Sequence, residues 1–445
     1  MSLPDNGMLL HERLAEAVEA AIAEGRYRPG ERLPTHRQLA QQFSVSIGSV
    51  TRAIDTLSAR GVVRGEIGRG TFVLDRVDSE ADEGGPIDLT INAPPPVVPL
   101  HRLSEASELA NRRALALPHG GYGDLSGSEA QRAMVARWLS ETRTLVAADE
   151  LLLINGAQQG LHLAFAVLRD TSPIILTETA SFPGALAAAA NLGMTVVPVT
   201  HDDEGMDPEA LDKALAETGA RIIYTTPVCQ NPLGFETGPD RRRAIAEVAK
   251  RHDAFIVEDD IYGFYAAKGK LTYRDLLGEQ VFYLTSFSKS LTPVLRLGVI
   301  VPPARFNGAV RKRLRAESWG LPPYVAELTA AMIEIGAARE AVDALRAECL
   351  VRTELARDML GLASVPMPGG APHIWLPMSP VKAEQFARRA SEAGVRLTPP
   401  SAAQVGSSPV EGVRICIMAP PQRAVLQRGL RILAGLLNSD ESDVV

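Results

Sequence analysis

The stretch SFSKSLTPVLRLG (Ser286–Gly298), which follows VFYLT (Val281–Thr285), decides how most of this chain is read. Lysine is scarce: the chain has Lys213, Lys250, Lys268, Lys270, Lys289, Lys312 and Lys382, within 46 lysines and arginines together. Arginine took most charged positions. A lysine between two serines at the end of an apolar run therefore asks for a chemical reason. Placed at a strand end, desolvated and near other cations, a lysine has a lowered pKa and becomes a nucleophile toward an aldehyde.

Working outward from Lys289, short apolar runs (IILTE, RIIYTTP, FIVEDD, VFYLTSF, LGVIV) alternate with amphipathic helical stretches such as RRRAIAEVAKRH. Near-continuous apolar strands between helices imply a mainly parallel sheet buried on both faces. Ligands of such sheets bind outside the carboxyl ends of the strands. Polar residues crowd those ends here, in TTPVCQNP, EDDIY and TSFSKS.

The cofactor that uses such a lysine is pyridoxal 5′-phosphate. It needs a phosphate cradle, a carboxylate for the pyridine nitrogen, donors to the ring oxygen and a stacking partner. Hydroxyls, an arginine and helix N-terminal amides suit the phosphate. Ser286, Ser288 and Arg296 answer the first two, and Ala157 and Gln158 in NGAQQGL the third. Asp259 in VEDDIYGFY suits the pyridine nitrogen. Tyr262 and Asn231 (in TPVCQNPLG) suit the ring oxygen, and Phe182 in ETASFPG would stack on the ring. Taken singly, SKS is a surface loop, DD a strand-end cap or metal pair, and QNP a turn. Their order and spacing make the case.

Together these motifs resemble the fold type I aminotransferases, over roughly Ile87 to Leu437. The resemblance implies an α/β fold with a large, mainly parallel sheet domain and a smaller C-terminal α/β subdomain. It makes Lys289 the lysine that carries the cofactor as an imine, Asp259 the pyridinium partner, and Asn231 and Tyr262 the ring-oxygen donors. Arg414 in EGVRICIM matches an arginine that grips a ligand carboxylate. Tyr122 in GYGDLSG matches a tyrosine reaching the partner subunit's phosphate, which implies a homodimer. The chain departs from the pattern at Leu233, Ala157 and Val294; Ala157 removes one possible phosphate hydroxyl.

The first 75 residues read differently. LLHERLAEAVEAAIAEG has apolar residues at helical spacing and ends at Gly25, a C-cap position. HRQLAQQF and IGSVTRAIDTLSARG are two short helices around a tight turn, and GVVRGEIGRGTFVL is a hairpin. This order describes a winged helix-turn-helix, an α+β module whose second short helix enters the major groove of double-stranded DNA. From Leu10 to Val73 it resembles the GntR family of bacterial transcription regulators. Arg26 to Gly70 holds eight arginines against three acids, a local net charge of +5 in a chain of net charge −7. By position in the motif, Arg37 and Arg52 are phosphate or base contacts, Ser46 and Ser49 open the recognition helix, and Arg69 at the hairpin tip reaches a minor groove. Many relatives carry arginine after the turn serine, where this chain has Ile47.

Residues 76–86 are acidic and glycine-containing and read as a linker, so the expected division is 1–75, 76–86 and 87–437. Cys229, Cys349 and Cys416 are odd in number and widely spaced, which argues against a disulfide framework or zinc site and for a reducing compartment. With no long apolar run, the expectation is a cytoplasmic protein without membrane contact. The combined modules resemble the MocR subfamily of regulators, in which an amino compound, or the cofactor itself, is sensed through the aminotransferase-like domain. The alternative is an active aminotransferase with an accessory DNA-binding domain.

Overall fold

The computed structural model describes residues 10–23, 26–27, 30–59, 62–66, 70–73, 85–115, 123–267, 269, 271–362 and 370–442. Gly25, Arg69, Tyr122 and most of the 76–86 segment lie outside them. Contacts divide the chain into two units, Met1–Gly85 and Pro86–Val445.

The first unit has helices Leu10–Ala23, His36–Phe43 and Ile47–Ala59, then strands Val63–Glu66 and Gly70–Val73. The strands pair antiparallel, Val63 opposite Val73. Helix His36–Phe43 begins where the Thr35 side chain accepts from the Gln38 amide while Gln38 Oε1 accepts from the Thr35 amide at 2.8 Å. This reciprocal pair satisfies two amides that a helix start leaves open. The helix stops at Ser44, in the left-handed region at φ 53°, and the chain re-enters a helix three residues later. Leu14, Val18, Leu39, Phe43, Val50 and Leu57 close the core.

The second unit is built on a seven-stranded sheet. Its spatial order is Leu152–Ile154, Gly298–Val301, Val281–Ser286, Phe255–Asp259, Ile222–Thr225, Ile174–Glu178, Thr195–Val199. Alternate residues enter different cores: Leu153, Ile223, Ile256 and Val299 on one side, Leu152, Ile222, Val257 and Ile300 on the other. Both faces are therefore buried, which is why these strands read as continuous apolar runs. Strand Gly298–Val301 runs antiparallel to both neighbours, while the other pairs are parallel. The sequence expectation of a mainly parallel sheet holds, and the exception has a plain cause. Only residues 287–297 separate Ser286 from Gly298, which face each other in register. A parallel crossover needs a dozen or more residues, usually a helix.

A smaller region pairs Ile374–Pro377 with Gly412–Ile415, and Ile87–Asp88 with Val395–Arg396. Leu89, Phe386, Ile415 and Leu426 belong to its core. Among the described residues, no helix is long and apolar enough to cross a membrane, and no cluster of His, Cys, Asp or Glu could hold a metal ion.

Candidate functional site

Strand Phe255–Asp259 delivers three consecutive acids to its carboxyl end, and each finds a different partner. Glu258 accepts from the Tyr273 and Arg274 amides and faces Arg242 at 3.4 Å. Asp260 takes the Arg143 guanidinium at 2.6 and 3.0 Å and the Tyr283 hydroxyl at 2.9 Å. Asp259, between them, accepts from the Tyr224 hydroxyl, at 3.0 Å on Oδ2, and the nearby Ile261 amide also favours its charged form. Among the described residues its Oδ1 is buried without a hydrogen-bond partner. Burial pushes this carboxyl up to about 7, with Tyr224 acting against the shift. An open oxygen on a 1 %-exposed carboxylate is costly unless something cationic or proton-bearing meets it.

The connection after strand Val281–Ser286 is a four-residue helix, Phe287–Ser290, and Lys289 lies in its last turn. Burial pulls the Lys289 amine down to about 8; Arg414 and Arg296 press in the same direction, while Cys416 and Asp259 oppose it. The amine donates to the backbone carbonyl of Asn92. Near pH 8 about half of such amines are neutral and nucleophilic.

An anion cradle lies beside it. Helix Gly156–Leu168 begins at Asn155 without a side-chain cap, so its first amides are open. Ala157 and Gln158 sit in that first turn. A Cβ on Gly298 would come within 2.5 Å of the Gly156 carbonyl carbon and 2.9 Å of the Ala157 nitrogen. Glycine alone lets this strand start approach the helix end. The Arg296 guanidinium lies over Gly156, 3.0 Å from the place a Cβ would occupy, and makes no hydrogen bond or ion pair among the described residues. The two serines separate in role. Ser286 Oγ accepts from the Ser288 amide and donates to the Leu297 carbonyl, whereas Ser288 Oγ is buried without a partner among the described residues. Phe182 precedes helix Pro183–Asn191, its ring over Gly184, and Gly184 in turn holds the Gln158 side chain through its carbonyl at 2.7 Å.

Asn231 and Arg414 meet directly: Arg414 Nη1 donates to Asn231 Oδ1 at 2.5 Å, and Nη2 to the Thr90 carbonyl and Thr398 Oγ1. The Arg414 Nε–H is buried and has no acceptor among the described residues. Tyr262 is buried and accepts from Asn92 Nδ2 at 2.9 Å. The structure thus draws Lys289, Asp259, Asn231, Tyr262, Arg414, Ser288, Arg296 and the Gly156 helix start to the strand ends. Chemically, the arrangement offers an amine for a carbonyl, a carboxylate for a protonated ring nitrogen, and amides plus a guanidinium for an anion.

Sequence reasoning missed Tyr224, Asn92 and His373. Tyr224 carried a weak signal, a phenol inside the apolar strand IIYT. Asn92 in LTINAPPP carried none.

In the first unit, Ser46 Oγ accepts from the Ser49 amide at 3.1 Å and caps helix Ile47–Ala59. Thr51 Oγ1 lies 3.3 Å from His36 Nδ1 and ties the two short helices together. Arg37 and Arg52 are exposed and without ion-pair partners among the described residues. Ile47 is 49 % exposed at the first position of its helix.

Comparison with known proteins agrees with both modules. Residues 85–433 match the model of the aminotransferase class I and II family, and residues 10–73 that of the bacterial regulatory proteins of the gntR family. The chain is 25 % identical over 443 residues to the uncharacterized HTH-type transcriptional regulator YdeF of Bacillus subtilis, covering 96 % of this chain and 94 % of that protein. It is 28 % identical to the probable rhizopine catabolism regulatory protein MocR of Rhizobium meliloti, over 69 % of this chain and 68 % of that one. Among solved structures, LysN, the alpha-aminoadipate aminotransferase of Thermus thermophilus complexed with N-(5′-phosphopyridoxyl)-L-leucine, superposes with TM-score 0.71 at 25 % identity, covering 83 % of this chain and 96 % of that one. The chain belongs to the aminotransferase class I and II family, carried behind a GntR-family helix-turn-helix as in regulators of the MocR kind.

Proposed function

We propose that this protein is a DNA-binding transcription regulator that holds pyridoxal 5′-phosphate and senses an amino compound through it. The observation that carries the reading is Asp259: a fully buried carboxylate with one open oxygen, in the same site as a depressed lysine amine. Residues 1–75 read DNA, 76–86 connect, and 87–437 hold the cofactor, in a homodimer to which Tyr122 contributes across the subunits.

When bound, the cofactor supplies an aldehyde for amines and a ring that withdraws electrons. The chain does the rest. Lys289, half-neutral near pH 8, is the residue that would hold the cofactor through that aldehyde, in competition with an incoming amine. Asp259 Oδ1 would accept from a protonated ring nitrogen and favour its proton, while Tyr224 holds Oδ2. Arg296, Ser288 Oγ and the Gly156–Gln158 amides would hold the phosphate, and Phe182 would cover the ring. Arg414 presents its open Nε–H to a carboxylate or similar anion on the effector. The effector changes DNA affinity only by as much as it binds one state better than the other.

The test is the visible spectrum of the purified chain with pyridoxal phosphate, followed by titration with amino compounds and a keto-acid assay. A cofactor band that shifts with one class of amine and stays, with a matching change in operator affinity, supports the reading. Steady keto-acid release without any effect on DNA binding would make it an aminotransferase instead.

A further inference from the structure

Tyr262 lies 1 % exposed in the Lys289 cavity, which Asn92, Tyr265, Pro372 and Met418 also line. Its oxygen accepts from Asn92 Nδ2, and its own proton finds no acceptor among the described residues. The reason lies one step further back. Asn92 Nδ2 is also 2.8 Å from His373 Nδ1, and His373 Nε2 is 2.9 Å from the Gln230 carbonyl oxygen. A carbonyl only accepts, so Nε2 bears the proton. In a neutral ring Nδ1 is then an acceptor, and the amide facing it must present N–H. Burial, with Arg414 close by, holds the His373 pKa at about 3, so the ring is neutral at working pH.

With its two amide hydrogens directed at His373 and Tyr262, Asn92 keeps Oδ1 buried and unpartnered. A flipped amide would set that oxygen against the lone pair of Nδ1. The Gln230 carbonyl is itself fixed, since it also accepts from the Gly234 amide at 2.6 Å. Donation therefore runs outward from Asn92, on one side through His373 to the Gln230 carbonyl and on the other to the Tyr262 oxygen.

We infer that Gln230, His373 and Asn92 form an orienting relay that occupies the acceptor side of the Tyr262 oxygen and leaves its proton to be donated to the ring oxygen the bound cofactor would bring. Asn92 and His373 are positioning residues in this inference, which rests on the cofactor reading above. A donor at that oxygen stabilises its anionic form and lowers the pH at which the cofactor band changes. Asn92→Asp supplies an acceptor where Asn92 supplied a donor, and so turns the Tyr262 proton away from the ring.

The experiment is a pH titration of the cofactor absorbance in the loaded full-length chain, for wild type, Asn92→Asp, Tyr262→Phe and the double variant. Loss of one hydrogen bond to a charged group predicts a rise of about one pH unit, tenfold in proton affinity, for each single variant. In the double variant the Asn92→Asp effect should fall to less than half. Equal shifts with and without Tyr262 would mean that the new charge alone acts, and would overturn the relay; so would no shift. A wild-type chain with no cofactor band fails the cofactor reading itself, and the relay with it. Should Asn92→Asp not fold, 15N NMR of the wild-type histidines decides. A neutral Nε2–H ring for His373, assigned by its loss in His373→Gln, supports the relay, and an Nδ1–H or charged ring overturns it.

Discussion

Asp259→Asn should stabilise the cofactor-free protein and weaken the loaded one. Asparagine keeps the shape and an acceptor for the Tyr224 hydroxyl but carries no charge. In the folded chain the Asp259 carboxyl is pushed from 3.8 up to about 7 by burial. Below pH 3.8 both folded and unfolded chains hold the proton, and the residue costs nothing. As pH rises from there, the unfolded chain ionises first, so the cost grows, and above 7 it is complete. A rise of about three units at about 1.36 kcal/mol each sets an upper bound near 4 kcal/mol, and relaxation around the site brings it to about 2. Urea unfolding of cofactor-free protein should therefore show the variant more stable than wild type by about 2–4 kcal/mol near pH 8, with the difference vanishing toward about pH 3. The sign reverses on loading. Losing a charge-assisted hydrogen bond of about 1.5–3 kcal/mol weakens cofactor binding about 10- to 150-fold in an absorbance titration. Wild-type cofactor affinity in Asp259→Asn, or equal stability of the two cofactor-free proteins near pH 8, would refute the assignment of the open Oδ1 to a ring nitrogen.

Cofactor attachment to Lys289, trapped by borohydride and read as peptide mass, should rise with pH to a midpoint near 8, and a midpoint near 10 would show an ordinary solvated lysine. Gly298→Ala forces a Cβ against the backbone of Gly156 and Ala157. It should cost about 1–3 kcal/mol of stability and loosen phosphate binding more than it affects pyridoxal lacking the phosphate, measured by competition. Arg52→Ala should lower the salt dependence of DNA binding by about one phosphate contact, a change of about 0.9 in the log–log slope, in titrations at several salt concentrations. Arg143→Ala leaves the buried Asp260 uncompensated and should destabilise the second unit by about 3–5 kcal/mol without shifting the cofactor band.

Much of the fold was legible because its signals are local. Continuous apolar runs announced strands buried on both faces, and two short helices followed by a hairpin announced the first module. The antiparallel strand Gly298–Val301 was less legible: its composition matches that of its parallel neighbours, and its direction follows from the length of the connection. Lys289, Asn231 and Arg414 could be named because each sits in a motif with recognisable spacing. Their mutual contacts could not: Asn231 and Arg414 are 183 positions apart and touch at 2.5 Å.

The acids of VEDDIY mark the boundary. By itself the sequence determined that a strand ends there in consecutive carboxylates, that a lysine follows the next strand, and that an arginine-rich reader precedes both. The motif singled out Asp259 among them, and only the tertiary structure gave the physical reason. Glu258 went to Arg242 and backbone amides, Asp260 to Arg143, and Asp259 alone kept an oxygen open. The same holds for Asn92, whose position in a proline-rich entry segment carries no chemical signal. Its role arises because folding brings Tyr262, His373 and Lys289 around it. Spacing along a chain can specify a secondary structure and one face of it. Which donor meets which buried acceptor is settled by packing, where an unmet hydrogen bond is expensive and the partners come from distant segments.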